Sequence, residues 1–269
     1  MSEGADERAA AERGAQAVRE RRVTPLDRAV SVALWSAGLA WMIPLMGTMM
    51  AAACVRRSDQ TDGLNRLYCR GQLLLTGARW KAIVHPDIDP NQPYVFCQNH
   101  VNLLDHVTMY CATPHFKKGL ELASHFDIPV YGWFMRQRGT IPVHKGRRDA
   151  FEQLKDGFAR EVAQGHSILA FPEGTRSRTG RVGKFRKGVF MAAAELGIPV
   201  VPVAVTGMYE ILRPGTKIFR PGREVTVHCE APIDTRGMTA GDVGRLTRQV
   251  QSVVSERVDR YWEQRSQGG

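Results

Sequence analysis

The sequence predicts an α/β fold, a largely parallel sheet flanked by helices, preceded by an N-terminal membrane-embedded helix or helical hairpin. Three observations carry this expectation. Beyond about residue 75, short Val- and Ile-rich runs alternate with amphipathic stretches, the pattern of strands joined by crossover helices. Residues 29–55 contain no Asp, Glu, Lys or Arg. With 269 residues, 43% of them hydrophobic, the chain is long enough for one full core with an appendage.

Taken in order, residues 1–28 form a polar arm rich in Ala, Glu and Arg, which has no core of its own. The apolar stretch follows, flanked by Arg28 and by Arg56 and Arg57, so the second segment is set at 29–57 and the remaining domain at 58–269. A helix of about 20 apolar residues spans the roughly 30 Å hydrocarbon layer, so this segment is long enough to cross. Pro44, with Gly38 and Gly47 to either side, leaves two forms open: one kinked span, or two shorter helices folded as a hairpin into one leaflet. The long arm of mixed charge argues against a cleaved signal peptide.

Strands are expected at residues 81–85, 94–98, 140–144, 167–171, 199–206 and 225–229, and helices at about 103–111, 148–164 and 188–196. Residues 242–262 place Val243, Leu246, Val250, Val253, Val254, Val258 and Trp262 at helical spacing, which predicts a packing helix. In an open parallel sheet the chemistry belongs at strand-to-helix turns.

The net charge is +10 and the pI about 9.7, and residues 136–188 hold 13 Lys and Arg against 5 Asp and Glu. Such a concentration suggests a polyanionic partner: nucleic acid, an anionic membrane or a phosphorylated substrate. No helix-turn-helix, RNP or zinc-finger pattern accompanies it, and aromatic residues are not interleaved with the basic ones, so nucleic acid is not expected. Five cysteines, Cys54, Cys69, Cys97, Cys111 and Cys229, show no CxxC pair, so reduced thiols in a reducing compartment are expected, with neither a disulfide framework nor a zinc site. His85, His115, His125, His166 and His228 are solitary and are taken as structural.

Two constellations carry chemistry. The first is the polar turn after residues 94–98, where His100 and Asp105 lie five apart, about 140° around a helix, and so cannot share a helical face. With Asn102 as N-cap, Asp105 falls at N3 and its carboxylate reaches back toward His100. An imidazole oriented by a carboxylate suits a general base that takes a hydroxyl proton. The same residues are equally compatible with a strand-end histidine and a capping carboxylate of purely structural role. A metal site from His100, Asp105 and His106 lacks further ligands in the sequence.

The second is Pro172-Glu173-Gly174-Thr175-Arg176, a tight turn just past residues 167–171, followed by Arg178, Arg181, Lys184, Arg186 and Lys187. Arg176 offers a planar fork of donors suited to phosphate, and Lys187 opens the next helix, whose N-terminus favours an anion. A charge run of this kind also occurs as a plain solvated face. Glu173 either contacts the acceptor or pairs with Arg176 and orients it, and the orienting role is preferred.

Together, His100-xxxx-Asp105 and Phe171-Pro172-Glu173-Gly174-Thr175-Arg176 resemble the glycerolipid acyltransferase family of the bacterial 1-acyl-glycerol-3-phosphate acyltransferases. Residues 139–145 are similar to the family block that contributes to the acceptor-phosphate site, with Lys145 where arginine is usual, and residues 200–203 resemble the proline-containing strand of the family. The resemblance implies the family's α/β fold and direct transfer without a cofactor. His100 would activate the free hydroxyl of lysophosphatidic acid, which attacks the thioester of acyl-carrier protein or coenzyme A and yields phosphatidic acid. Glycerol-3-phosphate, another lysolipid or a lyso-amino-lipid remain open as acceptors. Lys145, Glu173, Gly174, Thr175, Arg176 and Lys187 are the implied substrate-binding residues, His100 and Asp105 the catalytic pair, membrane lipids further partners, and the cytoplasmic face of the inner membrane the implied location. No Gly-x-Ser-x-Gly elbow competes with this reading.

Overall fold

The computed structural model describes residues 22–55 and 59–267. Most of the expected polar arm, and the flanking Arg56 and Arg57, lie outside them. A seven-stranded sheet in the order β1-β7-β6-β2-β5-β3-β4 forms the centre, with β1 at Arg79–Val84, β2 at Val95–Gln98, β3 at Lys117–Leu122, β4 at Ile141–Val143, β5 at Ser167–Ala170, β6 at Val200–Thr206 and β7 at Glu224–Cys229. Every neighbouring pair is parallel except β6 with β7. The sheet is therefore mixed but mostly parallel, as expected, with β7 and β1 running against the other five strands. Strands β2, β5 and β6 are buried along their whole length, which is why they appear as continuous apolar runs instead of alternating ones.

Pro202 lies inside central strand β6, an unusual place for a residue without an N–H. It is tolerated because the β6–β7 register begins one residue later, at Val203, and the Pro202 carbonyl still accepts from Glu230 N.

Strand β3 was not expected, because its sequence opens on Lys117 and Lys118. Both are buried, at 1% and 4% exposure. Lys117 Nζ donates to the carbonyls of Thr113 and His115 and lies over the rings of Phe96 and Tyr110. Lys118 Nζ donates to the Arg138 carbonyl and pairs with Glu161. Burial pushes the Lys117 ammonium down to about 7 from its ordinary 10.5. Tertiary partners thus bury a segment that sequence polarity marks as surface.

Helices flank the sheet. Apolar α1 (Pro25–Ala53) packs on α2 (Asp62–Leu75), which packs on α3 (Asp105–Ala112). Short α4 (Tyr131–Gln137) is followed by α5 (Ala150–Val162), α6 (Gly188–Leu196) and one-turn α7 (Met208–Ile211). The long α8 (Val243–Gln267) crosses β6 and α6 through Val243, Leu246, Val250, Val254, Val258 and Trp262. Helices α2 and α4 were not expected.

Helix α1 corrects the hairpin alternative: it is one continuous helix through Pro44. Proline removes a single i to i−4 hydrogen bond, which the remaining turns tolerate. Gly38 is a docking point instead of a break, its carbonyl accepting from Gln72 Nε2 at 3.0 Å. The helix also starts earlier than expected. Thr24 caps it, accepting from Asp27 N, while Asp27 reaches back to Thr24 N. Residues 25–52 are long and apolar enough to cross a membrane, with only 6% of the most apolar window buried inside the protein. Leu26, Val32, Leu39 and Ile43 face outward. The helix is anchored to the domain by Trp35, whose indole donates to Lys217 O and stacks edge-on against Phe219, and by Trp41, which donates to Tyr68 O.

All five cysteines are free thiols; Cys69, Cys97 and Cys229 are buried, and burial pushes Cys229 up to about 12.

Candidate active site

Strands β2 and β5 are neighbours and end side by side at Gln98 and Ala170, so the turns that follow them emerge together at the carboxyl edge of the sheet. The first turn is pinned by its own side chains. Asn99 extends the β2–β6 ladder, its amide donating to Val205 O and accepting from Val205 N. Asn102 accepts from Leu104 N and donates to the carbonyls of Met208 and Leu212.

Asn102 is therefore not the helix cap that sequence spacing suggests. Its side chain is committed elsewhere, residues 101–104 form a turn, and the helix opens on Asp105 itself. The carboxylate reaches back all the same. Asp105 Oδ2 accepts from Val101 N at 2.6 Å, Asn102 N at 2.8 Å and His100 Nδ1 at 2.8 Å. Asp105 is fully buried and the His100 side chain keeps 22% exposure. A carboxylate oxygen already taking two backbone N–H groups accepts the ring hydrogen as well, so Nδ1 carries the proton and Nε2 the lone pair. The ring lies 4.2 Å from the Phe171 ring, stacked at 22°. Nε2 has no hydrogen-bond partner among the described residues, which leaves it free for a substrate hydroxyl.

Glu173 holds the second turn against the first. Its Oε1 accepts from His100 N at 2.8 Å and its Oε2 from Gly183 N at 2.8 Å. Burial raises the carboxyl's affinity for its proton, and the two N–H groups pull against that. The expected ion pair between Glu173 and Arg176 does not form, because both carboxylate oxygens are occupied by backbone donors. The His100 carbonyl in turn accepts from Ser177 N at 2.7 Å. Both backbone polar groups of His100 are thus fixed by the segment after β5.

Gly174 adopts φ +70°, and a Cβ there would come within 2.9 Å of Arg186 Nε, so glycine meets both a backbone and a space requirement. Thr175 and Arg176 follow in the open. No hydrogen bond or ion pair engages the Arg176 guanidinium among the described residues. Lys145 is exposed just past β4, two strands removed from β5. Lys187 is also exposed, with Nζ beside Gly244 at the start of α8. The structure brings together His100, Asp105, Glu173 and the 174–176 turn. Neither Lys145 nor Lys187 is tied to that group by a hydrogen bond or ion pair among the described residues.

Sequence reasoning missed the positioning work of Asn99, Asn102, Ser177 and Gly183. The two asparagines flanking His100 were a visible signal, since Asn side chains habitually brace turns; Ser177 and Gly183 offered none. His106 adjoins Asp105, and burial lowers its affinity for a proton. No group of three or more metal-ligating side chains occurs among the described residues.

The Acyltransferase family model matches residues 81–206, which contain His100, Asp105, Glu173 and the 174–176 turn. Residues 81–206, a little under half of the chain, are thus similar to that family. A chloroplastic 1-acyl-sn-glycerol-3-phosphate acyltransferase of Brassica napus is 36% identical to this chain over 142 residues, 52% of this chain and 41% of the relative. One from Arabidopsis thaliana is 34% identical over 168 residues, 62% of this chain and 45% of the relative. The alpha form from Homo sapiens is 27% identical over 217 residues, 78% of this chain and 75% of the relative. The chain thus spans about half the length of the first curated relatives it matches. The crystal structure of the 1-acyl-sn-glycerophosphate (LPA) acyltransferase PlsC from Thermotoga maritima superposes with a TM-score of 0.72 at 19% identity, covering 87% of this chain and 95% of that one. That likeness establishes a shared fold.

Proposed function

We propose that the protein transfers an acyl group from a thioester to the free hydroxyl of 1-acyl-sn-glycerol-3-phosphate, giving phosphatidic acid in phospholipid biosynthesis. One observation carries this reading above the others: a general-base histidine with its inner nitrogen held by a buried carboxylate and its outer nitrogen open, in a family domain whose curated relatives bear that activity in their names.

His100 Nε2 takes the acceptor's hydroxyl proton as the oxygen attacks the thioester carbonyl. The tetrahedral adduct collapses, the carbon–sulfur bond breaks, and the leaving thiolate takes the proton back from the imidazolium. The step needs no covalent acyl-enzyme and no cofactor. Asp105 Oδ2 faces the positive charge that develops on the ring, and so acts more strongly in the transition state than in the ground state.

Arg176, exposed on the turn beside His100, is the residue assigned to the acceptor phosphate, where a bidentate contact fits both shape and charge. Thr175 supplies a hydroxyl donor on the same turn, which Gly174 shapes, its own N–H being taken by the Phe171 carbonyl. Lys145 and Lys187 are assigned to the wider basic surface that draws in phosphorylated substrate. The thioester is carried by acyl-carrier protein or coenzyme A. Helix α1 holds the domain at the lipid surface from which the acceptor is drawn, on the cytoplasmic face of the inner membrane.

Release of free thiol from acyl-coenzyme A or acyl-carrier protein, with and without lysophosphatidic acid, tests the reading. Activity that depends on lysophosphatidic acid and vanishes in His100→Ala supports it. Full activity in His100→Ala, or a folded wild type that uses glycerol-3-phosphate and ignores lysophosphatidic acid, overturns it.

A further inference from the structure

The reactive histidine is held at its backbone by a segment without regular structure, and that segment is held by a helix outside the matched family domain. Residues 171–187 link β5 to α6 with no helix or strand of their own. Glu173 and Ser177 fix the His100 N–H and carbonyl, and Gly183 returns to Glu173. A linking segment of this length in a compact domain needs its polar backbone satisfied from elsewhere.

The C-terminal helix provides much of that. Trp262 Nε1 donates to Gly180 O at 3.0 Å, Arg181 pairs with Asp259, and Gln251 Oε1 accepts from Phe185 N at 3.1 Å. Tyr209, in the turn after β6, donates to Arg178 O at 2.8 Å. Gly180 adopts φ +79°, and a Cβ there would meet Trp262 at 2.8 Å and Tyr209 at 3.0 Å, so the segment lies directly against both rings. Trp262 is 2% exposed and stands edge-on to Tyr209 and Tyr261. The end of the helix is itself locked down. Buried Glu210 accepts from Tyr261 Oη and from Arg265 Nη2. Val101, next to His100, lines the same small cavity as Gly180, Tyr209, Val258 and Trp262.

We propose that the last turns of α8 buttress the reactive turn, with Trp262 a positioning residue that acts on His100 through the 177–183 segment. The proposal builds on the acyl-transfer reading and adds to it a residue outside residues 81–206. The physical reason is leverage. The 177–183 segment has no ladder to hold it, so a lost anchor at Gly180 is felt at Ser177 and Gly183, which meet His100 and Glu173. A reacting group displaced by about 1 Å loses on the order of 10²-fold in rate.

Trp262→Phe tests this, since it keeps an aromatic ring in the cavity and removes the indole N–H. The full chain is assayed for thiol release, and hydrogen exchange is followed at the amides of His100, Ser177 and Gly183 in the absence of substrate. The expected result is a kcat lowered by about tenfold, an unchanged KM for the thioester, and faster exchange at those three amides against unchanged exchange in β2 and β6. Tyr261→Phe, which frees one side of the Glu210 lock, should move the same amides in the same direction. Wild-type kcat per folded molecule together with unchanged exchange at Ser177 and Gly183 in Trp262→Phe would overturn the proposal and leave Trp262 a packing residue. If the wild type transfers no acyl group to lysophosphatidic acid, the acyl-transfer reading fails by itself, and the exchange measurement still decides the buttress.

Discussion

Asp105→Asn is the most informative single change, because it keeps the shape of the side chain and removes its charge. Asp105 Oδ2 accepts from His100 Nδ1, Val101 N and Asn102 N at 2.8, 2.6 and 2.8 Å. A hydrogen bond to a charged group contributes about 1.5–3 kcal/mol against roughly 1 for a neutral one, so the two backbone contacts together lose about 2 kcal/mol of folding stability. The catalytic loss is larger. Two unit charges about 4 Å apart interact by roughly 4 kcal/mol at an effective dielectric of 20, and this attraction is present only once the imidazolium has formed. Losing 3–4 kcal/mol from the transition state lowers kcat by about 10²–10³-fold. The asparagine oxygen still accepts from Nδ1, so the tautomer is kept and the substrate KM values should hardly move. Thiol release at saturating acceptor measures kcat, and urea unfolding measures the stability change. A folded Asp105→Asn enzyme with kcat within threefold of wild type would refute the role given to the carboxylate.

Arg176→Ala should raise the acceptor KM by about 10–100-fold, the loss of one charge-assisted contact, with kcat within a few-fold; equal KM values for lysophosphatidic acid would remove Arg176 from the phosphate site. Glu173→Gln leaves one of two buried N–H groups, His100 N or Gly183 N, facing the amide NH2, which donates and cannot accept, a cost of about 1–3 kcal/mol visible as a lowered unfolding midpoint and a lowered kcat. Lys117 titrates near 7 in the fold and near 10.5 when unfolded. The unfolded chain therefore binds the extra proton between those values, and wild-type stability should rise with pH across that window. The neutral amine's contribution is complete above 10.5 and is lost as pH falls through 7. Lys117→Met should flatten that slope by a few kcal/mol in unfolding experiments at stepped pH, and an identical slope in both proteins would contradict the burial argument. Val32→Lys with Ile43→Lys, both on the outward face of α1, should shift the protein from membrane pellet to soluble fraction without lowering its unfolding temperature.

Much of the fold was legible because its signals are local. The apolar runs of β5 and β6, the alternating valines of β7 and the helical spacing of the apolar residues of α8 state their structure within a few residues of themselves. β3 was not legible, since Lys117 and Lys118 oppose burial until the carbonyls of Thr113, His115 and Arg138 and the carboxylate of Glu161 surround them. The hairpin alternative for α1 had the same origin. Pro44 and the two glycines are local breakers, and what overrides them is the packing of Gly38 and Trp41 against α2.

The candidate site divides in the same way. His100 and Asp105 are five positions apart, and the sequence alone determined that they meet across a turn, as it determined the basic, proline-glycine turn at 172–176 and an apolar segment able to cross a membrane. The tertiary structure decided what Glu173 does. Its partners are the amides of His100, 73 residues away, and Gly183, and neither could be inferred from the neighbouring Arg176. It also decided that a helix near the C-terminus braces the reactive turn, through a contact 82 residues apart in the chain. Periodicity and turn chemistry report how a residue relates to its near neighbours. Contacts across such separations form only when the sheet order sets β2 beside β5 and lays α8 over β6.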